Sequence, residues 1–324
     1  MPNLPSSPVE KGKRFDLGTL YKAVFGSAAS RGFLFKLAVY VILIGISYVF
    51  LYPLIKMITM SFMSTTDLLD PEVEWLPKTF NFNTFKIAFH GLKMPRSLWN
   101  SIWFSTTLGV LQTAVAALTG FAFARFQFRG RNFWFIMLLV SFIIPLPIVM
   151  IPRRMMFTSF RDLTGIKLVG TVIPQIVLTA LGQGVNNAIL VLIFHNFFKM
   201  IPLSLDEAAR VDGATSWQVF WHIFIKMSLP IITTVFLFSF VWNWNETYVT
   251  SLLLSTGLQL LPGSLGAFDN SYADLMAANP QQVRLNESFK MAATLVSIIP
   301  LLILYAFSQR QFIEGIERTG ITGE

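Results

Sequence analysis

Besides 247–268, which is rich in turn residues, six stretches of this chain run for 19 to 31 residues without an Asp, Glu, Lys or Arg: 37–55, 97–124, 132–152, 168–198, 227–245 and 291–309. A helix needs about 20 apolar residues to cross the hydrocarbon core of a bilayer. Inside that core every backbone N–H and C=O must be satisfied within the protein, which favours helices. The rest of the composition agrees. Hydrophobic residues make up 54% of the 324 positions and charged residues 13%, about half the charged share of an ordinary soluble domain. A soluble domain cannot bury that much apolar surface and still cover itself with polar groups. A soluble enzyme, a disordered tail and a disulfide scaffold are excluded. The fold class expected is an all-α membrane protein with six transmembrane helices.

The windows are not equally regular. The first, between Lys36 and Lys56, follows a polar, basic leader with no small-residue cleavage site, so it reads as an uncleaved span. The fourth is too long for one helix. Pro174 and Gly182-Gln183-Gly184 are expected to break it, leaving the membrane helix in its second half. A further uncharged stretch, 247–268, contains Gly257, Gln259, Pro262, Gly263 and Gly266. It reads as a loop against the outer membrane face. As a seventh span, the alternative, it would put the C-terminus outside.

The formal charge of +8 reads as basic residues retained on the cytoplasmic side rather than as a nucleic-acid surface. The leader carries Lys11, Lys13, Arg14, Lys22, Arg31 and Lys36 against Glu10 and Asp16, and the loop after the second window carries Arg125, Arg129 and Arg131. Six spans place both on the same side. The region 153–167 disagrees: it holds Arg153, Arg154, Arg161 and Lys167, yet the count puts it outside. With no cysteine, and with His90, His195 and His222 far apart in sequence, no metal site or disulfide is expected. The domain reading is a cytoplasmic leader (1–33), one membrane domain (34–310) with a cytoplasmic loop at 199–226, and a cytoplasmic tail (311–324).

That loop is the informative segment. From Ile201 to Gln218 it shows two helix starts in succession. Ser204 with Glu207, and Thr215 with Gln218, both have capping-box spacing. Asp206 and Glu207 would sit in a first turn, where the helix dipole favours negative charge. Gly213 stands between the two and suits a left-handed bend. A short helix, a glycine corner and a second helix returning to the membrane are expected. On helix chemistry alone an ordinary interfacial helix pair remains an equal alternative.

The same residues resemble a known family. Glu207-Ala208-Ala209, three residues, Gly213, nine residues and Ile223 look like the EAA loop of ABC-importer permeases. The likeness continues through Asp212-Gly213-Ala214-Thr215 and Trp217-Gln218 to Ser228-Leu229-Pro230, in the form seen in MalG-like permeases of carbohydrate importers. Trp242-Asn243-Trp244-Asn245-Glu246, Leu260-Leu261-Pro262 and Gln309-Arg310-Gln311-Phe312 with Gly315, Gly320 and Gly323 resemble further family elements. Two positions depart from the pattern. Lys226 stands where the family usually has a proline, and Ile321-Thr322-Gly323 stands where a lysine often precedes glycine.

The resemblance implies the type I ABC-importer permease fold and a multi-pass place in the bacterial cytoplasmic membrane, with both termini cytoplasmic. It implies a transport subunit, not an enzyme, that forms half of the path for a carbohydrate. The implied partners are a second, related permease, two cytoplasmic ATPase subunits that bind the ATP, and an extracytoplasmic solute-binding protein. Glu207, Ala208, Ala209, Arg210, Asp212 and Gly213 would make the ATPase-coupling contact, with Glu207 also as helix cap. The residues themselves agree on one point. No Gly-x-x-x-x-Gly-Lys-Ser/Thr run is present, so the chain offers no phosphate-cradling loop and no cofactor of its own is expected. Polar residues inside spans usually face the bundle interior. Asn100, Gln112, Asn187, Trp242, Asn243, Asn245 and Glu246 are the translocation-path candidates. An ABC permease for a non-sugar solute, and a channel or secondary carrier outside the ABC class, remain as alternatives.

Overall fold

The structure is a computed structural model that describes residues 26–27, 30–254, 258–278 and 286–318. Most of the leader and the end of the tail, 319–324, lie outside the described residues. Two compact units meet in sequence at Thr59 and Met60. The first unit holds an antiparallel pair of two-residue strands, β1 (Gly26–Ser27) and β2 (Ser30–Arg31), and most of α1 (Phe33–Ser61). That helix is 29 residues long, about 43 Å at 1.5 Å per residue, more than enough to span.

The second unit holds helices and no strand among its described residues. In order come α2 (Thr65–Leu69), α3 (Asn83–Gly91), α4 (Met94–Arg125), α5 (Arg131–Ile143), α6 (Leu146–Thr164), α7 (Ile173–Ala180), α8 (Asn187–Met200) and α9 (Leu203–Val211). Next are α10 (Ser216–Val219), a π-helical turn (Phe220–Phe224), α11 (Ile225–Met227) and α12 (Leu229–Asn245). The series closes with α13 (Tyr248–Leu253), α14 (Leu261–Gly266), α15 (Phe268–Ala278) and α16 (Glu287–Arg318).

Among the described residues three helices, α1, α4 and α16, are long and apolar enough to cross a membrane unaided. Three further pairs qualify only together, each bent at a short break: α5 with α6 by 99°, α8 with α9 by 74°, and the Ser216–Met227 helix with α12 by 82°. Counting each bent pair as one span gives six.

The bends follow from local chemistry. The third window is not one straight helix, contrary to the reading of 132–152. Pro145 lacks an N–H and forces the residue before it out of the helical region. Ile144 accordingly sits at φ −69°, ψ 123°, and a new helix starts with Pro147 in its first turn. The basic region 153–167 thereby becomes mostly a helix at a steep angle to the span before it, ending at Gly165 with φ +78°. The fourth window breaks at Gly182-Gln183-Gly184 as expected, with Gly182 at φ +77°. Pro174, however, begins α7 rather than breaking a helix.

The stretch 247–268 also departs from its reading as a loop on the membrane face. It contains α13 and α14, and Val249, Leu253, Leu254, Leu260 and Leu261 are buried. Its apolar side chains have packing partners in the bundle: Val249 and Leu253 join Met150 and Leu178, while Leu254 and Leu260 join Phe104 and Leu108. The Gly170 N–H donates to Leu253 O at 2.7 Å. Neither helix approaches spanning length.

The main core lies where α4, α8 and the Ser216–Met227 helix meet. Phe121, Phe194, Phe198, Phe220 and Phe224 interlock there with Ala116, Ala117, Leu190 and Val235. Small residues let the backbones close in. A Cβ at Gly120 would lie 2.7 Å from Phe194 Cβ and 3.0 Å from the His195 nitrogen. Only glycine permits this crossing of α4 and α8.

Candidate functional site: a capped corner and a buried amide cluster

The loop from Ile201 to Gln218 forms the expected helix, corner and helix, with one change in its chemistry. Helix α9 starts at Leu203 with Pro202 at its cap, and no side-chain cap bond closes it. The Ser204–Glu207 capping box therefore does not form. Because the helix begins two residues earlier than the box requires, Ser204 is already inside it. Glu207 lies beyond the first turn, exposed, and caps nothing among the described residues. Asp206 is the acid of the first turn. It is buried, and its Oδ1 accepts from Arg210 Nε at 2.7 Å, one turn on. A pair of this spacing stabilises a helix by about 0.3–0.5 kcal/mol when exposed.

The second box forms as read. Thr215 Oγ1 accepts from the Gln218 N–H at 3.3 Å, and Gln218 Oε1 accepts from the Thr215 N–H at 2.8 Å. Between the helices Gly213 has φ +84°, and a Cβ there would meet nothing within 4 Å. Its requirement for glycine is thus one of backbone conformation. The Ala214 N–H donates to Ala209 O at 2.9 Å and closes the corner. Asp212 is an exposed turn residue, Ala208 is exposed and Ala209 half-buried. Leu203 (63% exposed), Val211 (88%) and Trp217 (57%) leave apolar surface around the corner.

Arg125, the last residue of α4, fastens this corner to the core. One of its Nη atoms donates to Phe198 O at 2.7 Å and to Ile201 O, the carbonyls where α8 ends. Its guanidinium also lies 4.7 Å from the centroid of the Phe224 ring, within cation–π reach. A cation at a helix C-terminus also meets the negative end of the dipole. The sequence reading took Arg125 only as a marker of orientation. Lys226, the departure from the family's proline, is exposed in α11, and the bend into α12 falls after it at Ser228. There Ser228 Oγ donates to Phe224 O.

Within the spans two path candidates come together. Asn243 Nδ2 on α12 donates to Gln112 Oε1 on α4 at 3.0 Å, and Ser239 Oγ donates to the same oxygen at 2.7 Å. Gln112 Nε2 donates to Val185 O at 2.6 Å, in the break before α8. Gly184 makes room, since a Cβ there would stand 3.0 Å from Gln112 Cδ. Ser239 was not among the sequence candidates, although it precedes Asn243 by one turn. Asn187 stands at the same break: its Nδ2 donates to Gly182 O at 3.0 Å, while its Oδ1 is buried without a partner among the described residues. It lines a cavity of about 370 Å³ with Gln183, Asn186 and Arg153.

The other candidates lie apart. Asn100 Nδ2 donates to Gln259 O at 2.9 Å, and Glu246 accepts from the Val249 N–H at 2.8 Å. Glu246 and Gln259 line a separate cavity of about 290 Å³ with Lys93, Trp244 and Ser264. Trp242 stacks on Phe238 with centroids 5.7 Å apart, and Asn245 is exposed.

Known proteins share this architecture. A solved bacterial ABC transporter involved in import of the acidic polysaccharide alginate matches with a TM-score of 0.69 over 86% of this chain and 96% of that chain, at 24% identity. The arabinooligosaccharides transport system permease AraQ of Halalkalibacterium halodurans is 27% identical over 86% of this chain and 93% of its own length. The polygalacturonan/rhamnogalacturonan transport system permease YtcP of Bacillus subtilis is 26% identical over 87% and 96%. The MalG maltose/maltodextrin permease of Vibrio vulnificus is 28% identical over 70% and 72%. A family profile covers residues 116–318, from the middle of α4 through the corner and α12 to the end of α16. On that match the chain belongs to the binding-protein-dependent transport system inner membrane components, the permease family of ABC importers.

Proposed function

We propose that this chain is one permease of an ATP-driven carbohydrate importer, with an oligosaccharide as its cargo. The observation that carries the reading is the rigid corner at Gly213 held to the core by Arg125. A floppy loop would absorb a partner's movement, whereas a cornered helix pinned to a span transmits it. The relatives AraQ, YtcP and MalG, named for the transport of arabinooligosaccharides, polygalacturonan or rhamnogalacturonan and maltodextrins, support the sugar.

On this reading two cytoplasmic ATPase subunits dock on two such corners, one from this chain and one from a second, related permease. Glu207, Ala208, Ala209, Arg210, Asp212 and Gly213 form this chain's share of the contact. ATP-driven closure of the ATPase pair moves the corner and exchanges inward- and outward-facing states by rocking. An extracytoplasmic binding protein delivers the sugar. The amides of Gln112, Asn187 and Asn243 line or shape the path, offering the hydrogen bonds a sugar's hydroxyls need. Both termini lie in the cytoplasm.

The test is reconstitution of the chain with its second permease, ATPase pair and binding protein in proteoliposomes. ATP-dependent uptake of a labelled oligosaccharide is expected, and no uptake without the ATPase. This chain alone should neither bind nor hydrolyse ATP. Uptake that persists without the ATPase, driven by an ion gradient, would defeat the reading.

A further inference from the structure

Arg153 belongs to the basic region 153–167 that the charge count does not account for, and the fold gives it a setting. It lies on α6, beyond the bend at Ile144 and Pro145, and it lines the 370 Å³ cavity. That volume falls in the range of small-molecule clefts, about 300–1,000 Å³. Its guanidinium meets Gln183 Oε1 through Nη2 and Met150 Sδ at 3.8 Å through Nη1. Both partners are neutral. A second, small cavity of about 20 Å³ shares Arg153, Gln183 and Val185 in its wall, room for about one water molecule. Gln175 lines that second cavity at 3% exposure, and neither atom of its amide has a partner among the described residues.

Among the described residues no Asp or Glu lines either cavity. Arg153 is half-buried and meets only neutral partners, and Asn187 Oδ1 on the same cavity wall is buried with no partner among the described residues, which is costly. A ligand that brings both a negative charge and hydroxyls would relieve both. The guanidinium is a planar fork of donors whose geometry matches a carboxylate bidentately. The amides of Gln183 and Asn187, which line the larger cavity beside Arg153, suit hydroxyl groups.

We propose that the cavity at Arg153 is a subsite for a carboxylate-bearing sugar residue, a uronate, with Arg153 binding the carboxylate. This deepens the carbohydrate reading above and rests on it. A neutral sugar would satisfy the amides and leave the cation unpaired. A lipid phosphate would satisfy the cation and leave the amides.

The experiment uses the assembled transporter in nanodiscs, with digalacturonate and its dimethyl ester as probes of nearly equal size and different charge. The wild type should bind the acid about tenfold more tightly than the ester, the loss expected when one charge-assisted contact is removed. Arg153→Gln should abolish that preference while assembly, read by gel filtration, stays normal. Arg153→Lys should keep part of it, and Gln183→Ala should weaken both probes. Equal binding of acid and ester by the wild type overturns the proposal, as does a preference that survives Arg153→Gln. Equal binding of the two probes, with Arg153→Gln lowering the melting temperature only in anionic-lipid discs, would assign the cation to a headgroup and overturn it too. ATP-driven uptake of a neutral oligosaccharide alongside either result leaves the importer reading standing, so the two failures are separable.

Discussion

Asn243 on α12 donates to Gln112 on α4 across 3.0 Å, and both side chains are buried. The bond links two spans, and through Val185 it also links the break before α8. Replacing Gln112 by Leu would strand the Ser239 hydroxyl proton and the Val185 carbonyl, while Asn243 Nδ2 keeps its bond to Ser239 O at 2.8 Å. A buried polar group left unpaired costs about 1–3 kcal/mol. Gln112→Leu should therefore lower the melting temperature of the purified complex. Asn243→Ala removes one donor and leaves Ser239 on Gln112, so the fold should hold while uptake rate changes several-fold. Pull-down of the ATPase should stay normal for Asn243→Ala. Wild-type uptake in that variant would remove Asn243 from the path.

At Gly120 two spans approach too closely for a side chain. Gly120→Leu would place carbon against Phe194 Cβ and the His195 backbone, and backbone cannot step aside as a side-chain tip can. Overpacking of this kind costs about 1–3 kcal/mol or more. The variant should insert poorly or melt markedly earlier in detergent. Gly45, with nothing within 4 Å of a Cβ, gives the control: Gly45→Leu should leave the melting temperature near that of the wild type.

At the corner, Gly213 and Glu207 should behave differently from each other. Gly213→Leu meets no clash within the chain, but φ +84° costs a residue with a Cβ roughly 1–2 kcal/mol. The spans should stay folded, while ATPase attachment falls or hydrolysis uncouples from transport. Glu207 is exposed and caps no helix end among the described residues, so Glu207→Ala should change stability by less than about 0.5 kcal/mol. Any loss of attachment in that variant then reports contact with the partner. Pull-down of the ATPase beside an uptake assay reads both. Normal attachment and normal uptake in Gly213→Leu would show that the corner carries no coupling.

Arg125 offers a test of how the corner is fastened. One of its Nη atoms donates to two carbonyls while the planar guanidinium lies over Phe224; an ammonium can donate to the carbonyls but has no planar face to lay on the ring. Arg125→Lys should keep the charge and the topology yet loosen the corner. Expected is a fall in the ratio of transport to ATP hydrolysis, with proteolysis near Ile201 speeding up. An unchanged ratio and an unchanged cleavage rate would limit Arg125 to orienting the chain in the membrane.

Much of this protein was legible as sequence because membrane insertion is decided by local composition. A run of about 20 uncharged apolar residues has few alternatives to a helix in lipid, where each backbone group must be satisfied within the protein. The glycine corner and the Thr215–Gln218 box were equally local: each needs only residues a few positions apart and one φ that glycine adopts freely. Where the sequence reading slipped, a neighbour in space had intervened or the helix start moved by two residues. Helix α9 began at Leu203 and left Ser204 inside it, so the first box did not close. The stretch 247–268 looked like a surface loop from its glycines and proline, but Leu253, Leu254, Leu260 and Leu261 found buried partners and folded inward. The 99° turn at Pro145 was also a tertiary outcome in its size, since proline dictates a break and not an angle. The pairings that give the chain its candidate sites join residues 73 to 131 positions apart: Arg125 with Phe198, Gln112 with Val185, and Asn243 with Gln112. No period or spacing encodes such pairs. They exist because α4, α8 and α12 cross closely enough, over glycines and alanines, for side chains on one to reach the backbone or amides of another.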